Sequence, residues 1–84
     1  MFKKITDIKD DPSLKDAQSF VGGWGELVRL NDGILLINEE GKLKDLDLNP
    51  EASKLYSDSY GHTDYIVGPA IYIPNTLQKS GWFS

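Results

Sequence analysis

The sequence predicts an α+β fold in which a small antiparallel sheet with a central β-hairpin carries two short helices packed on one face. Three observations support this prediction. Two short segments show apolar residues at helical spacing, and each follows a capping residue and a proline. Between them, two apolar runs are separated by Asn31-Asp32-Gly33, a strong hairpin turn. The 84 residues fit one domain.

We divide this domain into an N-terminal arm (residues 1–11), an α+β core (12–74) and a C-terminal tail (75–84). Within the arm, every third residue from Phe2 to Ile8 is apolar, which fits either a short strand or an extended segment.

The first helix is predicted over residues 12–21. Asp11 can cap it, and Pro12 fits the first helical position, where no amide donor is needed. Apolar residues follow Leu14 along one helical face, and Gly22-Gly23 ends the helix because glycine adopts positive φ without a Cβ clash.

The central hairpin is predicted to pair residues 24–30 with residues 34–37. The return strand is apolar at consecutive positions, so we expect both of its faces to be covered. Such a strand belongs inside the sheet and not at its edge.

The second half of the chain predicts a helix over residues 50–57, capped by Asn49, followed by a polar loop to Asp64. The last strand is predicted over residues 65–73 with an interruption at Gly68-Pro69. Since proline cannot donate to a strand ladder, a bulge or a sheet edge is expected there.

Composition excludes several classes of function. Apolar residues make up 39% of the chain and charged residues 26%, and the net charge is -4. This composition is too apolar for a disordered acidic tail. The chain lacks cysteine, a signal-peptide pattern and an apolar run long enough to cross a bilayer. Its basic residues are scattered along the sequence, which argues against direct binding of duplex DNA. We expect a cytoplasmic protein without cofactor.

Metal and catalytic patterns are weak. A single His and no Cys argue against zinc. Residues 45–49 begin like a calcium loop, but Pro50 and Tyr56 occupy its sixth and twelfth positions. His62 lies in a polar loop near Asp64, where a solvated histidine is the more common role. We predict neither catalytic nor metal-binding residues.

Candidate binding residues come from three features. The Gly22-Gly23-Trp24 turn is mainly a helix stop, but its amides and indole ring could also face a ligand. Asn38, at the end of an apolar strand, either fixes the following turn or contacts something bound. The four Tyr, three Phe and two Trp exceed what so small a core needs. The candidate binding residues are Gly22, Gly23, Trp24, Asn38, Glu39, Tyr60, Trp82 and Phe83.

Four motifs in order resemble a small phage and prophage domain family of unknown function. They are the runs over residues 20–24 (FVGGW), 37–43 (INEEGKL), 48–52 (LNPEA) and 66–70 (IVGPA). The resemblance extends over residues 14–73. It implies a phage origin and a bacterial host cytoplasm, and it supplies no catalytic residues.

Two functional hypotheses follow. The first is a non-enzymatic inhibitor that binds a host or bacterial defence protein, as small size, acidity and surplus aromatic residues indicate. The second is a homo-oligomer that sequesters a nucleotide-like small molecule between the glycine turn, Asn38 and Tyr60. An enzyme using His62, Asp64 or Glu39, and a structural phage component, rank below these two.

Overall fold

The computed structural model describes residues 2–10 and 13–77, and four strands in these ranges form one sheet. The strands are β1 (Phe2–Lys4), β2 (Gly25–Arg29), β3 (Gly33–Asn38) and β4 (Ala70–Pro74). Their order across the sheet is β1-β4-β3-β2, so β1 and β2 form the edges. The predicted hairpin is confirmed as β2 and β3, and β3 lies inside the sheet.

The predicted α+β class with a central hairpin and two helices is confirmed, but the sheet is mixed and not purely antiparallel. Strand β1 pairs in parallel with β4, whereas the β4–β3 and β3–β2 pairs are antiparallel. Directly after β1, Ile5 is 1% exposed, and its N–H donates to the carbonyl of Tyr72 at 2.9 Å. The first segment is therefore a strand. Its pairing joins distant parts of the chain, which no local pattern encodes.

The first helix, α1 (Leu14–Val21), begins two residues later than predicted. Ser13 has extended backbone and is the N-cap, since its hydroxyl accepts from the N–H of Asp16 at 3.2 Å. The predicted cap Asp11 and the neighbouring Pro12 lie outside the described residues. At the other end, Gly22 has a φ of 87° and ends the helix as predicted.

The second helix, α2 (Pro50–Tyr60), is capped by Asn49 as predicted but continues beyond residue 57. Its last turn is anchored to the hairpin. The hydroxyl of Tyr60 donates to the carbonyl of Arg29, and the hydroxyl of Ser59 accepts from the N–H of Asn31 at 3.1 Å. These tertiary contacts explain why a segment that reads as a polar loop is helical.

The two helices pack on opposite faces of the sheet, so the prediction of one shared face is wrong. The α1 face buries Ile5, Ala17, Val21, Ile34, Leu36, Ile71 and Ile73. The α2 face buries Leu35, Ala52, Ile66, Ala70 and Tyr72. Side chains alternate along a strand, so the consecutive apolar residues of β3 are all buried only when both faces are covered.

The last strand starts at Ala70, after Pro69, and lies between β1 and β3. The expectation of a sheet edge at this strand is wrong. Pro69 lies before the first paired residue, so its missing N–H does not interrupt the hydrogen bonds between the strands. Before it, Gly68 has a φ of 81°, and its N–H donates to the carbonyl of Asp47 at 2.7 Å. The interruption at Gly68-Pro69 is thus a turn into the strand.

Asn49 connects the start of α2 to the segment that leads into β4. Its side chain is fully buried, with 0% exposure. The Oδ1 atom accepts from the N–H of Ala52 at 3.1 Å, and the Nδ2 atom donates to the carbonyl of Gly68 at 2.9 Å. One side chain therefore caps a helix and fixes a turn.

Two 3-10 turns, Ile8–Asp10 and Asn75–Leu77, complete the secondary structure of the described ranges. The second lies at the start of the predicted tail, whose residues 78–84 are outside the description. The division into arm, core and tail stays a prediction. Within residues 2–10 and 13–77, no helix has the length and apolarity needed to cross a membrane.

Tyr72 should make the fold sensitive to alkali. Burial, and then a hydrogen bond to the carboxylate of Asp32, raise the pKa of Tyr72 from 10.0 to about 12. Because the folded state favours the neutral phenol, this stabilisation is present below pH 10 and is lost as the pH rises towards 12. A shift of this size corresponds to about 3 kcal/mol.

Urea unfolding of the wild type and of the Tyr72→Phe variant across this pH range measures the effect. Both proteins share every other ionisable group, so the difference between their pH profiles isolates the Tyr72 phenol. We expect the wild type to lose more stability than Tyr72→Phe above about pH 10. Parallel profiles would contradict the prediction.

Candidate binding site

A groove with a cavity volume of about 410 Å³ lies on the α2 face, along the edge strand β2. We call it the β2 groove. Glu26 and Val28 face it, because they pair with Ile37 and Leu35, which point to the α2 face. The lining residues are 26–29, 37–39, 41–43 and 64–67, together with Tyr56 and Tyr60.

Tyrosines form one wall of the β2 groove. The rings of Tyr56 and Tyr60, one helical turn apart on α2, have centroids 4.9 Å apart. Tyr60 and Tyr65 are 49% and 52% exposed. Exposed tyrosine rings combine an apolar face with a polar tip, and they are enriched where proteins bind partners.

An ion pair between Lys42 and Asp64 lies at the rim of the groove. The Nζ atom of Lys42 lies 4.5 Å from the ring centroid of Tyr65, and Asp64 also accepts from the N–H of Tyr65 at 2.8 Å. The hydrogen bond from Lys42 lowers the pKa of Asp64, and the same bond raises the pKa of Lys42. Both groups are therefore charged at neutral pH and engaged with each other.

Two further carboxylates line the groove. Glu26 and Glu39 are exposed, and neither side chain has an ion pair with another described residue. The backbone of Glu39 is fixed, because its N–H donates to the carbonyl of Trp24 at 3.0 Å. The groove thus offers negative charge at a defined place.

The glycine turn lies away from the β2 groove. Gly22, Gly23 and Trp24 line a second, open concavity of about 500 Å³ with residues of α1. Trp24 is 72% exposed there. The N–H groups of Gly22 and Gly23 both donate to the carbonyl of Gln18 at 3.0 Å. The predicted helix stop is confirmed, because these amides cap the end of α1 and are already hydrogen-bonded, whereas a role of the Trp24 ring in binding stays a prediction.

Asn38 has a structural role. It is 6% exposed, its Nδ2 atom donates to the carbonyl of Val21 at 2.9 Å, and its Oδ1 atom accepts from the N–H of Glu40 at 2.8 Å. The predicted role in the turn after β3 is confirmed. Residue 38 is among those that line the β2 groove, but its side chain is directed to the end of α1 and holds it against β3, on the face opposite Tyr60.

Comparison with known proteins identifies the family of this chain. A family model described as a domain of unknown function, DUF3846, matches residues 2–80. The chain belongs to the DUF3846 family. No curated protein and no solved structure gave a significant match.

The other predicted binding residues of this DUF3846 domain lie in different places. Glu39 and Tyr60 lie in the β2 groove, whereas Trp82 and Phe83 fall outside the described residues. His62 lies in an exposed turn after α2. Among residues 2–10 and 13–77, no group of three or more His, Cys, Asp or Glu side chains could hold a metal ion.

Sequence reasoning missed several groove residues of the DUF3846 domain. The sequence prediction places Tyr65 in a strand and singles out neither Tyr56 nor Glu26 for binding. The spacing of Tyr56 and Tyr60 by four residues was an available signal, since such pairs share one helix face. The Lys42–Asp64 pair joins two loops and had no local signal.

Proposed function

We propose that this DUF3846 domain is a non-enzymatic binding protein that recognises another protein through the β2 groove and inhibits it. The observation that carries the proposal is the combination of an edge strand, β2, with an adjacent groove walled by exposed tyrosines. Edge strands and exposed aromatic rings are both features that protein partners use.

The biological setting is part of the same proposal. The order of the FVGGW, INEEGKL, LNPEA and IVGPA motifs is similar to that of phage and prophage domains, which supports a phage-type accessory protein. Such a protein acts in the cytoplasm of a bacterial host. Its acidic net charge of -4 favours a host or defence protein with a basic surface.

The geometry favours this reading over sequestration of a nucleotide-like molecule. That alternative required the glycine turn, Asn38 and Tyr60 to converge on one ligand. The amides of the turn and the side chain of Asn38 are already hydrogen-bonded at the end of α1. Tyr60 lies on the opposite face, in the β2 groove.

Affinity capture from host lysate, followed by reconstitution with the purified partner, tests the proposed function. We expect Tyr65→Ala to weaken the reconstituted complex about tenfold or more, because it removes an exposed ring from the groove. Leu48→Ala is the matched control, since Leu48 is 56% exposed and does not line the groove.

The partner's own activity is measured in the same assay with both variants. Inhibition should be weakened by Tyr65→Ala and preserved by Leu48→Ala. Capture of no partner, or equal affinity of both variants for it, would count against the proposal.

A further inference from the structure

We propose that the β2 groove takes an extended segment of the partner that pairs with β2 as an additional strand and places a lysine or arginine side chain in the groove. This inference rests on the proposed function and names the chemistry that the site recognises. Three features support it: the outward-facing backbone groups of β2, the Tyr60 hydroxyl that occupies the carbonyl of Arg29, and the acidic side chains of the groove.

The backbone of β2 is hydrogen-bonded to another strand on one side only. Bonds to β3 are made at both ends of the hairpin: the carbonyl of Trp24 accepts from the N–H of Glu39 at 3.0 Å, and the N–H of Leu30 donates to the carbonyl of Gly33 at 2.8 Å. In an antiparallel pair such residues alternate. The N–H and C=O groups of Gly25 and Leu27 therefore point outwards, away from β3.

These outward groups have no partner within the described ranges, so they form an open template for pairing. Leu27 is 36% exposed, so an incoming segment has access to this part of β2. An extended segment that pairs with Gly25 and Leu27 gains up to four main-chain hydrogen bonds, the mode of binding known as strand addition.

Tyr60 sets the limit of this template. Its hydroxyl donates to the carbonyl of Arg29, the next outward position along β2. An incoming strand must therefore stop at or before Arg29. This contact also brings the tyrosine wall next to the position where the incoming backbone would lie.

The charge of the groove selects the side chain. Alternate residues of an added strand point to the α2 face and so into the β2 groove. There they meet the carboxylates of Glu26 and Glu39 beside the tyrosine wall. Lys42 is already paired with Asp64, and by strand alternation the side chain of Arg29 points to the α1 face.

A long cationic side chain fits this surface in both of its parts. Its aliphatic stem can lie on the tyrosine rings while its charged head reaches a carboxylate. The wall already accommodates one cation in this way, since Nζ of Lys42 lies 4.5 Å from the ring centroid of Tyr65. An acidic side chain would instead meet two carboxylates of like charge.

Capped heptapeptides titrated into the full chain test the inference by amide chemical shifts. The probe is Thr-Val-Thr-Lys-Thr-Val-Thr, and its matched control carries Glu in place of Lys. We expect the Lys peptide to shift the amides of Gly25 and Leu27 with a dissociation constant below about 1 mM. The Glu peptide should bind at least about tenfold more weakly.

Two changes separate the backbone and side-chain contributions. A Lys peptide N-methylated at alternate amides should no longer bind, because it cannot pair with β2. The Glu26→Gln variant should keep the shifts at Gly25 and Leu27 but reduce the preference for Lys over Glu. Amide spectra of the free variant establish that it is folded.

Three results would overturn the inference: no binding of the Lys peptide at about 2 mM, equal binding of the Lys and Glu peptides, or shifts confined to another surface. A concentration-dependent dimer that is lost in Leu27→Pro would also overturn it, because the edge would then hold a second copy of this chain. The capture experiment with Tyr65→Ala is independent of these results, so failure here leaves the proposed function standing.

Discussion

Replacing Asn49 with alanine is expected to lower the free energy of unfolding by about 3 kcal/mol, a large share of the stability of so small a domain. The side chain is fully buried and bonds the N–H of Ala52 and the carbonyl of Gly68. Alanine would leave both of these groups without their partner. Loss of a cap alone costs about 1 kcal/mol, and an unpaired buried group adds about 1–3 kcal/mol.

The matched control is Ser13→Ala, which removes the cap of α1. Ser13 is exposed, and within residues 2–10 and 13–77 its hydroxyl makes only the capping bond. Urea unfolding followed by circular dichroism should show Asn49→Ala to be the more damaging variant by at least about 1 kcal/mol. Equal losses would mean that the bond to Gly68 contributes nothing.

Leu35→Ala and Leu36→Ala are each expected to cost about 2–5 kcal/mol. These neighbours point to opposite faces of β3 and are 0% and 2% exposed. Each face is covered by its own helix, so neither truncation can be relieved by contact with water. If both helices shared one face, one of the two leucines would be exposed and its loss would cost little.

Leu27→Ala provides the control on the edge strand, where the side chain is 36% exposed. It should cost less than about 1 kcal/mol in the same unfolding experiment. A small loss for either Leu35→Ala or Leu36→Ala, comparable to that of Leu27→Ala, would show that one face of the sheet lacks its covering layer.

Local patterns predicted much of this fold. The hairpin, the glycine end of α1 and the Asn49 cap were all visible in the sequence. The placement of both helices on one face conflicted with another prediction, that Ile34–Ile37 is covered on both sides. With two helices available, one on each face is the arrangement that satisfies consecutive apolar residues. The parallel β1–β4 pair depends on distant residues.

The site was predicted less completely, for physical reasons. The helix stop at Gly22 and Gly23 was predicted, because glycines that end a helix commonly bond back to its last carbonyls. The β2 groove itself was not, because it forms only when α2 and the loop at Lys42 are packed beside β2.

The pairing of β1 with β4 has a consequence for synthesis on the ribosome. β1 is made first among the strands, and β4 is made last. Until β4 has emerged, β1 has no neighbour, and Ile5 has no complete core to enter. The hairpin and both helices can form while the chain is being translated, but the sheet closes only after almost all of the described chain has left the exit tunnel.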